Sequence, residues 1–153
     1  MSQLHIVLYQ PEIPHNTGAV GRLCLATQAR LHLIHPLGFS LEDKYLKRSG
    51  LDYWQDVDVR EWQSFEQMAS EASPEAQFCY LTTKTERLYW TENFLPETYL
   101  VFGPETRGLP ESLLRANADR CLTIPMQGTR SLNLSTSVGI VMYEAMRQRA
   151  LVR

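Results

Sequence analysis

The sequence contains no apolar run long enough to cross a membrane. Its longest runs, such as residues 99–102, have the length of a β-strand, whereas a membrane-spanning helix needs about 20 apolar residues. The first residues also lack the basic stretch followed by an apolar segment that marks an export signal. We therefore expect a cytoplasmic protein without a membrane partner.

Cysteine and net charge are also low. The three cysteines, Cys24, Cys79 and Cys121, stand singly among apolar residues, a pattern typical of buried thiols in a reducing compartment. Neither these cysteines nor the four histidines have the spacing of a metal site, so we expect no metal. The formal net charge of −2 excludes a generic basic nucleic-acid coat protein, but it is compatible with an RNA enzyme whose positive charge is local.

Three common active-site motifs are missing as well. There is no G-x-G-x-x-G, no G-x-x-x-x-G-K-[ST] and no G-x-S-x-G in the chain. The sequence therefore gives no support for the usual dinucleotide and nucleoside-triphosphate sites, and it disfavours a serine hydrolase.

Short β-type runs alternate with helical segments along the 153 residues, which predicts an α/β fold with a mostly parallel sheet. We expect one domain over residues 1–153. The predicted strands are residues 4–9, 31–35, 57–61, 77–82, 99–102 and 120–124. The predicted helices are residues 16–29, 65–72, 110–116 and 135–149, with another beginning at Ser40. The apolar stripe of the last helix indicates packing against its own sheet or against a second subunit.

Three loops after predicted strands have unusual compositions. Ligands of open α/β sheets bind beyond the carboxyl ends of the strands, so these loops are candidate site segments. Residues 10–18 are rich in proline and lead into a helix that carries Arg22, with Asn16 as its expected N-cap. Residues 103–110 place a carboxylate and a guanidinium between two glycines. Residues 125–137 place several hydroxyls and an amide at a helix N-terminus, which attracts a carboxylate group. A rigid turn, a surface loop and a simple helix cap are the alternative interpretations.

Taken together, the three loops resemble one family. Residues 16–22 (Asn-Thr-Gly-x3-Arg), 102–109 (Phe-Gly-Pro-Glu-Thr-Arg-Gly-Leu) and 124–135 (Ile-Pro-Met, then Ser-Leu-Asn-Leu-Ser) look like the three motifs of SPOUT-class RNA ribose 2'-O-methyltransferases. Residues 43–53 and the absence of an added RNA-binding extension resemble the short branch that acts on the tRNA wobble nucleotide, cytidine or uridine.

The resemblance implies a fold, a cofactor and partners. The fold would be a parallel α/β domain closed by a C-terminal trefoil knot, and the protein would be a homodimer with its active site at the interface. The last helix would then be a candidate interface element. The cofactor would be S-adenosyl-L-methionine, converted to S-adenosyl-L-homocysteine, and the substrate would be tRNA. The implied cofactor-binding residues are Leu81, Gly103, Ile124, Met126, Ser131 and Leu132.

The resemblance also implies a catalytic group made of Arg22, Asn16, Glu105 and Asn133. A guanidinium is effectively always protonated, so we interpret Arg22 as a clamp for phosphate and developing alkoxide instead of a general base. RNA would contact Arg107, Arg130 and a cluster formed by Lys44, Lys47 and Arg48, although that cluster could equally be a solvated helix face. Tyr53 and Trp54 are either base-stacking or core residues. Methylation of ribosomal RNA or another tRNA position, and a non-catalytic RNA-binding relative, are the alternative functions.

Overall fold

The computed structural model of the protein describes residues 3–44, 46 and 51–151. Its strands are β1 (Gln3–Tyr9), β2 (Arg30–Ile34), β3 (Val59–Trp62), β4 (Gln77–Leu81), β5 (Glu97–Phe102) and β6 (Cys121–Leu122). Its α-helices are α1 (Pro14–Thr27), α2 (Phe65–Ser70), α3 (Glu111–Ala116) and α4 (Leu134–Leu151). Short 3-10 helices occupy Leu51–Asp56, Tyr89–Thr91 and Ala118–Arg120. Most of the helix predicted from Ser40 lies outside the described residues.

All six strands form one parallel sheet in the order β3-β2-β1-β5-β4-β6. Because every strand runs in the same direction, the loops that follow β1, β5 and β6 all leave from the same edge of the sheet. The predicted α/β class with a parallel sheet is confirmed. The trefoil knot stays a prediction.

The sheet is covered on both faces, as parallel sheets are. On one face, alternate residues of β1 (Leu4, Ile6 and Leu8) pack in a core with α1 and α4, while Val7 belongs to the core on the opposite face, with residues of α2 and α3. The stripe of α4 is fully buried in the first core through Val138, Val141, Met142 and Ala145. Of the two interpretations given for this stripe, packing within the chain's own core is therefore the one that the structure shows.

Two helix starts show how local sequence acts. Ser64 caps α2, because its Oγ accepts the Gln67 backbone N–H at 3.0 Å. The prediction that Asn16 caps α1 was wrong. The helix begins at Pro14, whose missing N–H is harmless in the first turn, and Ile13 is the N-cap residue, so Asn16 lies inside the helix.

A line of polar side chains crosses four strands on the α2 face. The Trp62 indole N–H donates to His32 Nδ1 at 2.9 Å, His32 Nε2 lies 2.8 Å from His5 Nδ1, and His5 Nε2 lies 2.6 Å from a Glu97 oxygen. An indole can only donate, so His32 and then His5 must each carry the proton on Nε2. Burial lowers the pKa of His5 and lowers that of His32 to about 3, which keeps both rings neutral.

Within the described part of the chain, no helix is long and apolar enough to span a membrane. The same residues contain no group of three or more histidine, cysteine, aspartate or glutamate side chains placed to hold a metal ion.

Candidate active site

A cavity of about 570 Å³ opens at the carboxyl edge of the sheet. It lies among the ends of β4, β5 and β6 and the start of α4, where the strand directions predict a site. Its walls include all six residues predicted to bind a cofactor, together with three of the four predicted catalytic residues. They are Leu81, Gly103, Ile124, Met126, Ser131 and Leu132, and Asn16, Glu105 and Asn133. The structure thus brings the second and third loops together around one space.

The Glu105 carboxylate joins the second loop to the first. It accepts hydrogen bonds from the backbone N–H groups of Glu12 at 2.8 Å and Ile13 at 3.2 Å, and from Asn16 Nδ2 at 3.1 Å. These donors belong to the N-terminal end of α1, where backbone N–H groups lack helical partners and a negative charge is favourable. The carboxylate is therefore held by three donors of its own chain.

A second carboxylate, which sequence reasoning missed, faces the opposite way. Glu12 accepts the backbone N–H of Thr106 at 2.9 Å, and the Thr106 hydroxyl lies 2.8 and 2.9 Å from its two oxygens and donates to one of them. These bonds lower the pKa of the Glu12 carboxyl, so it is ionised at neutral pH. Glu12 and Glu105 thus each accept hydrogen bonds from the loop that carries the other. We call these two carboxylates and their donors the carboxylate clasp.

Asn16 extends the clasp to the third loop. Its Oδ1 accepts a hydrogen bond from Asn133 Nδ2 at 3.1 Å, while its Nδ2 donates to Glu105. Asn133 Oδ1 in turn caps α4, because it accepts the backbone N–H groups of Ser135 at 2.9 Å and Thr136 at 3.4 Å. The helix N-terminus that we expected to attract a ligand carboxylate already has this partner.

Gly103 provides room for the chain itself. A Cβ atom placed on Gly103 would lie 2.4 Å from both Gly108 C and Leu109 N, because the loop turns back over it. The turn is closed by the Gly108 N–H, which donates to the Pro104 carbonyl at 3.0 Å, and by a left-handed φ of +72° at Gly108. The close neighbour of Gly103 is therefore its own loop, although the residue also lines the cavity.

Arg22 stands apart from the other predicted catalytic residues. It is exposed on α1, its guanidinium carbon lies 5.3 Å from the centre of the Tyr53 ring, and it is not among the described residues that line the cavity. The structure of one chain therefore brings together Asn16, Glu105 and Asn133 but leaves Arg22 outside.

Three cations stand around the cavity. Lys84, Arg107 and Arg130 are exposed and line it. Lys84 pairs with Glu111, whereas Arg107 lies 3.8 Å from Glu12. The sequence pattern had not pointed to Lys84, which follows β4 in a loop of ordinary composition. Of the other predicted basic cluster, Lys47 and Arg48 lie outside the described residues.

An all-parallel sheet with one large cavity at its carboxyl edge is the architecture of an α/β enzyme that binds a small molecule. The chain belongs to the SpoU rRNA Methylase family, whose model matches residues 3–143, and it is accordingly a methyltransferase.

Its similarity to individual proteins extends over nearly the whole chain. It is 46% identical over 147 residues to the tRNA (cytidine(34)-2'-O)-methyltransferase of Escherichia coli K12, covering 95% of this chain and 93% of that protein. It is 48% identical over 145 residues to the protein of the same name from Methylovorus glucosotrophus, with 94% of each chain covered. A solved structure described as giving insights into the 2'-OH methylation of C/U34 on tRNA superposes with a TM-score of 0.93, at 46% identity and 97% coverage of both chains.

Proposed function

We propose that this methyltransferase transfers a methyl group from S-adenosyl-L-methionine to the ribose 2'-hydroxyl of the wobble nucleotide, cytidine or uridine 34, of tRNA. The observation that carries this proposal is the identity of 46–48% with tRNA (cytidine(34)-2'-O)-methyltransferases over at least 94% of the chain. With tRNA as substrate, the enzyme works in the cytoplasm.

The cavity suits this cofactor in size and in chemistry. A volume of about 570 Å³ lies within the usual range for small-molecule sites. Four apolar side chains (Leu81, Ile124, Met126 and Leu132) would hold the adenine, and Gly103 and Ser131 would contribute backbone and hydroxyl groups. When bound, the cofactor supplies a methyl group that its sulfonium charge has already activated.

The residues of the clasp act by positioning. Glu105 and Asn16 are committed to hydrogen bonds with each other and with the backbone of the first loop, and Asn133 caps α4. We infer that these three residues hold the cofactor loops in one arrangement and do not transfer protons. A positioned site lowers the barrier of an in-line displacement because the reacting atoms are already aligned.

Arg22 is the residue that we assign to the ribose and its phosphate. Its guanidinium stays protonated, so it stabilises the developing 2'-alkoxide by charge and binds the neighbouring phosphate in a bidentate manner. Arg22→Lys retains the charge but not the planar fork. We expect Arg22→Lys to lose most of the rate, and a variant with the wild-type rate would contradict the bidentate clamp.

Because Arg22 lies outside the cavity of its own chain, we propose a homodimer in which Arg22 serves the cavity of the partner subunit. Two of the exposed large apolar side chains occur at the N-terminal end of α1 and on α4. They are Ile13 and Tyr143. A paired surface of α1 and α4 would cover such side chains and bring two sites close together.

Subunit mixing tests this arrangement. Arg22→Ala subunits keep the cofactor cavity, and Gly103→Ala subunits keep Arg22. An equal mixture allowed to exchange subunits should recover about a quarter of the wild-type activity, since half of the dimers contain one complete site. No recovery in a mixture shown to exchange subunits would contradict a shared site.

The substrate is tested with labelled cofactor. The protein is incubated with total tRNA or with ribosomal RNA, and the methylated nucleotide is mapped by mass spectrometry, with Arg22→Ala as the control of reduced activity. We expect a 2'-O-methyl group on nucleotide 34 of tRNA. Labelling of ribosomal RNA without labelling of tRNA would overturn the proposed substrate, and cofactor binding without any methyl transfer would favour a non-catalytic relative.

A further inference from the structure

We infer that Tyr53 is a positioning residue for Arg22. Tyr53 is itself held in place because the ring of its neighbour Trp54 packs on Gly21. This inference rests on the proposed function, in which Arg22 contacts the substrate. It concerns a residue in the 3-10 helix Leu51–Asp56, outside the three loops that form the cavity.

The contact itself is a cation over an aromatic face. Arg22 Cζ lies 5.3 Å from the centre of the Tyr53 ring, within the distance of about 6 Å at which such pairs attract. Both side chains are exposed, and Tyr53 retains 42% of its accessible surface. An exposed arginine has many rotamers, so a partner that restricts it lowers the entropy lost when the guanidinium is brought into position for the transition state.

The position of Tyr53 is fixed by its neighbour. A Cβ atom on Gly21 would lie 2.6 and 2.8 Å from two carbons of the Trp54 ring, so this ring lies directly on the backbone of α1 one residue before Arg22. Trp54 and Val57 both pack against the core, and the Val57 N–H donates to the Trp54 carbonyl at 3.1 Å. The contacts of Trp54 and Val57 therefore fix the position of this segment on α1, and they place the Tyr53 ring 5.3 Å from Arg22 Cζ.

Trp54 is thus a packing residue, which decides between the two interpretations given from the sequence. For Tyr53 the alternatives are a positioning role through Arg22 and direct stacking on a base of the tRNA. The two roles make different predictions, because only the first depends on Arg22.

A double-mutant cycle separates them. Tyr53→Leu should lower kcat about three- to tenfold, with an unchanged Kd for S-adenosyl-L-methionine and an unchanged KM for tRNA. Tyr53→Phe keeps the ring face and should restore most of the rate. In an Arg22→Ala background, Tyr53→Leu should have no further effect. Trp90→Leu removes another exposed aromatic side chain, which does not line the cavity, and should leave kcat within about twofold. Additive losses, or a rise in the KM for tRNA, would overturn the inference in favour of base stacking.

The same contact has a signature that does not require activity. The ring current of Tyr53 should shift the Arg22 side-chain NMR signals upfield in the wild-type protein and in Tyr53→Phe, but not in Tyr53→Leu. Identical Arg22 shifts in all three proteins would overturn the inference. If the wild-type protein methylates no tRNA, the proposed function fails, and the NMR comparison still decides whether Tyr53 holds Arg22.

Discussion

The close approach of the second loop to Gly103 leads to a prediction whose size follows from the structure. In Gly103→Ala, the new methyl group would lie 2.4 Å from two backbone atoms, whereas ordinary carbon contacts are about 3.5–4.0 Å. Flexible side chains are not involved, so the backbone of residues 108–109 must move by about 1 Å. Overpacking of this kind typically costs about 1–3 kcal/mol.

The displacement would reach the site because the same loop carries Glu105 and Thr106. We expect a decrease in Tm of about 2–12 °C, from a cost of about 1–3 kcal/mol and about 2–4 °C for each kcal/mol in a chain of this length. We also expect a loss of affinity for S-adenosyl-L-methionine of about tenfold or more, since an error of about 1 Å in a site can have effects of that size. Thermal unfolding and isothermal titration measure the two quantities.

Two other glycines supply matched controls. A Cβ atom on Gly108 meets nothing within 4 Å, but its φ of +72° makes alanine unfavourable there, by about 1–2 kcal/mol. A Cβ atom on Gly128 meets nothing within 4 Å and has no such φ, so Gly128→Ala should change little. The expected order of damage to cofactor binding is Gly103, Gly108, Gly128. Wild-type affinity in Gly103→Ala, or equal effects in all three variants, would refute the argument from contact.

Three further predictions concern the clasp, the buried histidines and the RNA surface. Thr106→Val removes the hydroxyl bond to Glu12 and should weaken cofactor binding by about three- to tenfold, whereas Thr106→Ser should not; equal titrations of both variants would argue against the clasp. In the unfolded chain His32 binds a proton below about pH 6.5, whereas in the folded chain it does so only near its pKa of about 3. The free energy of unfolding should therefore decrease as the pH falls from about 6.5 to about 3. The decrease is at most about 1.4 kcal/mol per pH unit for each histidine. Urea unfolding at several pH values should show a shallower dependence of the unfolding free energy on pH in His32→Gln than in the wild-type protein; the same dependence in both proteins would contradict this account. Arg130→Gln should reduce the slope of log Kd for tRNA against log salt concentration by about one unit. Arg60 lies outside the cavity, so Arg60→Gln should leave this slope unchanged. An unchanged slope in Arg130→Gln would show that Arg130 does not contact RNA.

Most strands were predictable because they are short apolar runs between turn residues, although β3 (Val59–Trp62) contains Arg60 and Glu61. The common direction of the strands brought the second and third loops to one cavity. Helix details were less predictable. Asn16 has the composition of an N-cap, yet Pro14 starts α1 two residues earlier and leaves the Asn16 side chain to bond Glu105 and Asn133. The stripe of α4 has the same apolar pattern whether it meets a sheet or another subunit, so only the three-dimensional structure could decide.

Glu12 was missed for a different reason. Its partner Thr106 lies 94 residues away in the sequence, and an isolated glutamate in a proline-rich loop has no local pattern that reveals such a bond. Long-range pairs of this kind depend on how strands are ordered in the sheet. Arg22 and Tyr53 show the same limit, since their contact depends on where the segment Leu51–Asp56 packs on α1.

The position of α4 in the first core has a consequence for biosynthesis. Translation produces β1 first and α4 last among the described elements, so the sheet face that carries Leu4, Ile6 and Leu8 is covered only in part, by α1, until α4 leaves the ribosome. Asn133, which links the clasp to α4, emerges at the same late stage. A nascent chain therefore exposes part of an apolar sheet surface for most of its synthesis, and it has no completed cofactor cavity to stabilise it. We expect such a chain to bind chaperones that recognise apolar segments.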